Sequence, residues 1–160
     1  RTEAGDVDLG SPLGDVAAYT KSGRVNAGKI GGKAVIETVS GTITVEQASE
    51  GIAATTNSGR IRIARADCYA NLKSYSAEIR VDFYQTPTGR CQLVTDEGRI
   101  VVGVQQNIAI PVMGDVTEGS VHIPPLPRSS LDILNDSGKG DPSIYARSVR
   151  GDFRFHIVDD

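Results

Sequence analysis

The feature that most constrains this chain is a beat of eighteen residues. "SGRVNAG" begins at Ser22, "SGTITVE" at Ser40 and "SGRIRIA" at Ser58. The dipeptide recurs as Ala4-Gly5, Ser22-Gly23, Ser40-Gly41, Ser58-Gly59, Ser76-Ala77, Glu97-Gly98, Glu118-Gly119 and Ser137-Gly138, with a worn copy at Arg150-Gly151. The first four steps are 18 residues each, followed by 21, 21 and 19. A sustained period of this length marks a stacked array of one structural unit.

After each dipeptide run alternating aliphatics, as in Val25/Ala27, Ile43/Val45, Ile61/Ile63, Ile79/Val81 and Ile100/Val102. A second set runs before it, as in Ala34/Ile36, Ile52/Ala54, Ala70/Leu72 and Leu131/Ile133. Period-two alternation means strands with one face inward, and no helical period interrupts it. The pattern predicts an all-β, single-stranded parallel β-helix or β-solenoid, with two main strands per coil of about 18–21 residues and roughly eight coils. Residues 1–160 read as one domain, with regular coils over 1–81 and longer, less regular ones over 82–160. Since Thr2 already matches Thr20, the chain is expected to be part of a longer protein.

Inward parity is even-numbered before the dipeptide and odd after it, so the strand must bend there. Gly23, Gly41, Gly59, Gly98 and Gly119 are therefore expected structural corners. Glycine reaches φ > 0 where other residues would lose about 1–2 kcal/mol. Ala77 stands in for the glycine at one corner, and Lys139-Gly140-Asp141-Pro142 breaks the strand expected after Gly138. Ahead of the corners stand Thr2, Thr20, Thr38, Thr56, Ser74 and Thr95, continued by Val116 and Asn135. Coils stacked about 4.8 Å apart would align these hydroxyls in a column, each donating to an oxygen of a neighbouring coil.

Composition agrees with thin layers rather than one thick core: 18 Gly, 5% aromatic residues and no Trp. The net charge of −3 argues against a nucleic-acid partner. No run of eighteen apolar residues exists, so no membrane span is expected. A left-handed hexapeptide helix fails, because stepping by six from Val25 meets Gly31, Glu37, Ile43, Ser49, Thr55 and Ile61. Asp67, Asp82, Asp96, Asp115, Asp132 and Asp136 fall at unlike points of the coil, unlike the clustered acids of pectin-cleaving helices. No metal site and no cofactor is indicated.

The pattern "ETVSGTITVEQ…ATTNSGRIRIA" resembles the bacterial adhesin-like β-solenoid family, a domain of unknown function with repeated Thr-x-Ser-Gly-x-aliphatic coils. "HIPPLPRSSLDILNDSG", from His122 to Gly138, looks like that family's late proline-marked loop, and "RGDFRFHI" like its closing strand. The resemblance implies a solenoid fold and carries over no catalytic residues.

Catalysis has little to work with. His122 and His156 lie at outward parity and well apart in repeat number, and no Ser-His-Asp unit assembles. The chain is accordingly expected not to be an enzyme. Extra residues in the long coils gather after the second strand, at Phe83, Tyr84, Gln85 and Pro87, then Gln106, then Pro125 and Leu126. Loops on one side of a solenoid often form its binding face, and an exposed Phe83 and Tyr84 would offer flat apolar surface. The competing reading is that these loops cap irregular coils. A weaker candidate is an outward basic stripe of Arg60, Arg62, Arg80 and Arg99, suited to anionic glycan or lipopolysaccharide but interrupted by Glu78. It competes with a plain solvated face.

Arg150-Gly151-Asp152 spells an integrin motif, yet Gly151 already occupies a repeat corner. Cys68 and Cys91 project to about 8 Å between Cα atoms, past the ~7 Å bridging limit, which favours thiols over a disulfide.

The expected function is a non-catalytic cell-envelope or surface module, adhesin-like, presenting loops to glycan or a surface protein. The alternatives are end-to-end self-association through coil edges and a small polysaccharide-active enzyme. Localisation is expected to be envelope or extracellular, with any signal or anchor upstream of Arg1.

Overall fold

The structure, a computed structural model, describes residues 2–106, 108, 110–123 and 144–158. All sixteen described elements are strands, two per rung. The rungs are β1 (Thr2–Ala4) with β2 (Val7–Asp8), β3 (Val16–Ser22) with β4 (Val25–Ile30), and β5 (Lys33–Ser40) with β6 (Ile43–Ala48). Next come β7 (Gly51–Thr56) with β8 (Ile61–Ala66), β9 (Ala70–Ser74) with β10 (Ile79–Phe83), and β11 (Cys91–Glu97) with β12 (Ile100–Gln105). The last are β13 (Val112–Glu118) with β14 (Val121–His122), and β15 (Ile144–Arg150) with β16 (Phe153–Val158). Odd-numbered strands form one eight-stranded sheet and even-numbered strands the other, with every pairing parallel.

The β-solenoid expected from the repeat is therefore the fold. Register stacks Val25 on Ile43, Ile61, Ile79 and Ile100 in one file, each fully buried. Burying such a side chain contributes about 1.5–3 kcal/mol over leaving it in water. The facing sheet supplies Ala34, Ile52, Ala70 and Cys91, and thin aliphatic layers fill the interior between the two sheets.

Chain order and rung order part company at the C-terminal end. The first sheet runs β1-β3-β5-β7-β9-β11-β15-β13 and the second ends β12-β16-β14. The closing pair β15–β16 is thus inserted between the β11–β12 and β13–β14 rungs. Arg150-Gly151 is no worn copy past the end: it stacks between Glu97-Gly98 and Glu118-Gly119, with Gly98 N donating to Arg150 O (3.0 Å) and Gly151 N to Glu118 O (3.0 Å). The physical reason lies in side-chain content. The inserted rung turns Ile144, Ala146, Phe153 and Phe155 inward, all buried, and merits cover on both sides. The end rung has Gly114 and Val116 along its strand and leaves Met113 and Val121 exposed. The expected corner at Ser137-Gly138, with Leu131, Ile133, Asn135 and the 139–142 break, lies outside the described residues.

The hydroxyl column is real and its continuation is corrected. Thr56 Oγ1 donates to Gly41 O (3.5 Å), Ser74 Oγ to Gly59 O (3.5 Å) and Thr95 Oγ1 to Ala77 O (3.4 Å). Ser148, not Val116, follows Thr95, and its Oγ donates to Gly98 O at 3.0 Å. Each bond joins a rung to the corner of the one before it. Thr20 and Thr2 instead bond their own corners at Ser22 O and Ala4 O, and Thr38 Oγ1 has no partner among the described residues.

The reason for glycine at the corners also changes. Gly23 and Gly119 have φ of 129° and 158°, as expected, but Gly41, Gly59 and Gly98 show no positive φ. What excludes a side chain there is contact. A Cβ on Gly41 would meet Gly23 O, on Gly59 it would meet Gly41 O, and on Gly98 it would meet Ala77 O, all closer than 3.0 Å. Gly59→Ala is accordingly expected to lower stability by about 1–3 kcal/mol, the usual cost of overpacking. Gly14→Ala, where nothing lies within 4 Å of the added carbon, should leave the urea midpoint nearly unchanged. Equal midpoints for the two variants would contradict the stacked corner.

Candidate functional site

In a parallel sheet with rungs in register, outward side chains form files just as inward ones do. On the second sheet one file runs Asp8, Asn26, Thr44, Arg62, Arg80, Val101, Arg154 and His122. It passes from acidic and neutral at the N-terminal rungs to cationic at the C-terminal ones. Beside it Asp82, Gly103 and His156 form a second file. A third, at the corner, comes from Arg60, Glu78, Arg99, Asp152 and Ser120, whose carbonyls accept from the strand starting one rung earlier.

These files enclose a shallow depression of about 400 Å³ lined by Glu78, Arg80, Arg99, Val101, His122, Arg154, Phe155 and His156. Glu78 lies between two arginines, 3.7 Å from Arg60 Nε and 3.8 Å from Arg99 Nη1. Asp82 lies between Arg80 Nε (3.8 Å) and His156 Nε2 (3.5 Å). Gly103 makes that second meeting possible, because a Cβ there would strike Asp82 Oδ1 and His156 Cε1. Burial raises the pKa of the Asp82 carboxyl, opposed by the charges of Arg80, His156 and Arg62. Asp82 Oδ1 and Arg80 Nε are both buried without a hydrogen bond among the described residues, so charge rather than hydrogen bonding holds the cluster.

All four stripe arginines, Arg60, Arg62, Arg80 and Arg99, do share this face. The separation expected between His122 and His156 is wrong: rung insertion puts them on adjacent strands, with His122 opposite Arg154 and His156 two residues further along β16. Arg154 and both histidines are the residues that sequence reasoning missed.

The loop patch does not form as expected. Phe83 is fully buried as the last residue of β10, because the inward positions 79 and 81 continue to 83 and the core has room for a ring. Pro87 is buried too. Tyr84 is half-buried, its ring 5.0 Å from the Arg65 guanidinium. Gln85 is anchored, donating from Nε2 to Asp67 O at 2.6 Å. Asp67, itself buried, accepts from Gln47 Nε2 (2.6 Å) and Arg65 Nε (2.7 Å). These groups satisfy one another, which is how a cap behaves. Gln106 is exposed, while Pro125 and Leu126 lie outside the described residues.

The Arg150-Gly151-Asp152 motif is tied into the stack. Arg150 Nη2 pairs with Glu97 Oε1 at 2.9 Å, and Asp152 Oδ1 accepts from Ser120 N (3.2 Å) and Oγ (2.8 Å). The Ser120 bonds lower the Asp152 pKa. Among the described residues no group of three or more His, Cys, Asp or Glu is placed to hold a metal ion, and no helix is long and apolar enough to cross a membrane.

Both cysteines are free thiols. Cys68 is half-buried with its sulfur 2.9 Å from Thr88 Oγ1, whereas Cys91 is fully buried and accepts from Ala70 N at 3.3 Å. Burial pushes the Cys91 thiol up to about 11, so almost none is thiolate at neutral pH. Iodoacetamide is therefore expected to label Cys68 in the folded protein and Cys91 only on unfolding, read by peptide mass spectrometry. Equal labelling of both without denaturant would contradict the buried rung.

No curated protein matches the chain, and no solved structure does. A family model, described as Toastrack DUF4097, matches residues 1–155. Its rungs stacked in parallel and matched to that model over nearly their whole length, the chain belongs to the Toastrack DUF4097 family.

Proposed function

We propose that this domain is a non-catalytic, adhesin-like module of the bacterial cell envelope or surface, a rigid solenoid that binds glycan or protein. Its binding face on this reading is the outer surface of the second sheet. The observation that carries it is the convergence of Arg80, Arg99, Arg154, His122 and His156 around one depression built from neighbouring rungs. Asp82 and His156 lie 3.5 Å apart beside that depression, so both bear on what the face can hold. Parallel rungs are paired on both sides through the middle of the stack, so such a face changes little between free and bound states.

A second reading, end-to-end self-association, has its own support. The β1–β2 and β13–β14 rungs are each paired on one side only among the described residues, and an open edge is a template for another chain. A rise in sedimentation coefficient with protein concentration is its signature.

Binding is tested on an array holding neutral and acidic glycans together with purified envelope proteins. The wild type is expected to bind at least one class, the Arg80→Gln/Arg154→Gln variant to lose it, and Tyr84→Ala to keep it. Undiminished binding by the arginine variant, or binding lost only with Tyr84→Ala, would contradict this face.

A further inference from the structure

We propose that the depression on the second sheet takes an acidic saccharide chain, one bearing carboxylate or sulfate groups, laid across the rungs. This rests on the binding-face reading above and names its ligand class. Three observations carry it.

The first is charge left over after internal pairing. Arg62 and Arg154 make no ion pair among the described residues. Arg80 has only the Asp82 contact at 3.8 Å, beyond hydrogen-bond reach, while its side chain remains 40% exposed. Arg99 shares Glu78 with Arg60 at distances equally loose. Guanidinium groups in this state are available to anions, and their planar fork suits carboxylate and sulfate alike.

The second is spacing. Strand neighbours lie about 4.8 Å apart, so the cations of the file repeat on the scale of one pyranose unit in a linear chain. Arg62 and Arg80 occupy successive rungs, Arg99 serves the next from the corner, and Arg154 follows on the inserted rung. Half-buried Val101 leaves an apolar floor between Arg80 and Arg154 for the C–H face of a sugar ring.

The third is the interspersed acids. Glu78, Asp82 and Asp152 lie on the same face, and the whole chain carries net charge −3. A saccharide presents one anion per unit with hydroxyl donors between, and hydroxyls tolerate neighbouring carboxylates as acceptors.

The test is titration calorimetry of the whole chain with oligogalacturonate and with dextran sulfate oligosaccharide, alongside neutral oligosaccharides of equal length. Either acidic probe is expected to bind, the two arms separating carboxylate from sulfate preference. Affinity should fall as salt rises, and Arg80→Gln/Arg154→Gln should weaken it about ten-fold or more. The same double variant must remain folded at the assay temperature, read from its urea transition, and Arg147→Gln on the opposite sheet must keep wild-type affinity. Neutral probes binding as tightly as acidic ones, no binding of either acidic probe, or equal loss with Arg147→Gln would overturn the proposal. Neutral glycan or protein binding lost in the double variant would overturn the acidic ligand while leaving the binding face standing.

Discussion

Everything in this molecule follows from the parallel backbone ladder that joins each rung to the next. Once strands pair in parallel and in register, equivalent residues sit one above another about 4.8 Å apart, with one shift of register between β8 and β10 past Val81. At the corners this brings each carbonyl against the next rung's Cα, which is why Gly41, Gly59 and Gly98 carry no side chain. Inside, it stacks aliphatics on aliphatics. At the core's edge it lets one hydroxyl per rung satisfy a carbonyl of the rung before, as Thr56, Ser74, Thr95 and Ser148 do. On the outer surface the same ladder gathers like charges, a destabilising tendency that Glu78 and Asp82 moderate by lying between the arginines.

That last effect links fold to function. An arginine on one rung of an ordinary sheet is a solvated charge. Arginines on several rungs, with register holding them in file, become a face where cations recur with acids such as Glu78 and Asp82 between them. Asp82 shows how closely the surface is tied to the interior. Its carboxyl is largely buried beside Gly103, held by Arg80 and His156, and burial works against its charge. The chain belongs to the Toastrack family, and its particular outward residues set the charge of the face it presents.

Much of the fold is legible in the sequence because period and parity are local. The file from Val25 through Ile79, the corners and most of the hydroxyl column follow from counting residues. Two things do not follow. Counting equates rung order with chain order, yet β15 pairs with β11 and β13, a non-local choice that no local pattern dictates. A signal is present all the same: "SVRG" puts Ser148 three residues ahead of Gly151, matching Thr38 and Gly41, whereas Val116 breaks the hydroxyl pattern ahead of Gly119. Without the insertion His122 and His156 stand apart, so the fuller cationic face stays hidden behind its four arginines. Phe83 misleads because a long coil suggests an outward bulge, although the inward run Ile79, Val81, Phe83 is unbroken.

The inserted rung is the claim on which both the fold's closure and the candidate face depend, and disulfide trapping tests it directly. Val94 and Arg147 are register neighbours, and Arg147 is in turn neighbour to Asp115, so one rung separates Val94 from Asp115. In a Cys68→Ser/Cys91→Ala background, Val94→Cys with Arg147→Cys should oxidise readily, their Cα atoms lying about 5 Å apart. Val94→Cys with Asp115→Cys should not, at roughly twice that distance and beyond the ~7 Å limit. Rapid bridging of the second pair and none of the first would mean that rungs follow chain order, and the inserted rung and the cationic face built on it would fall together.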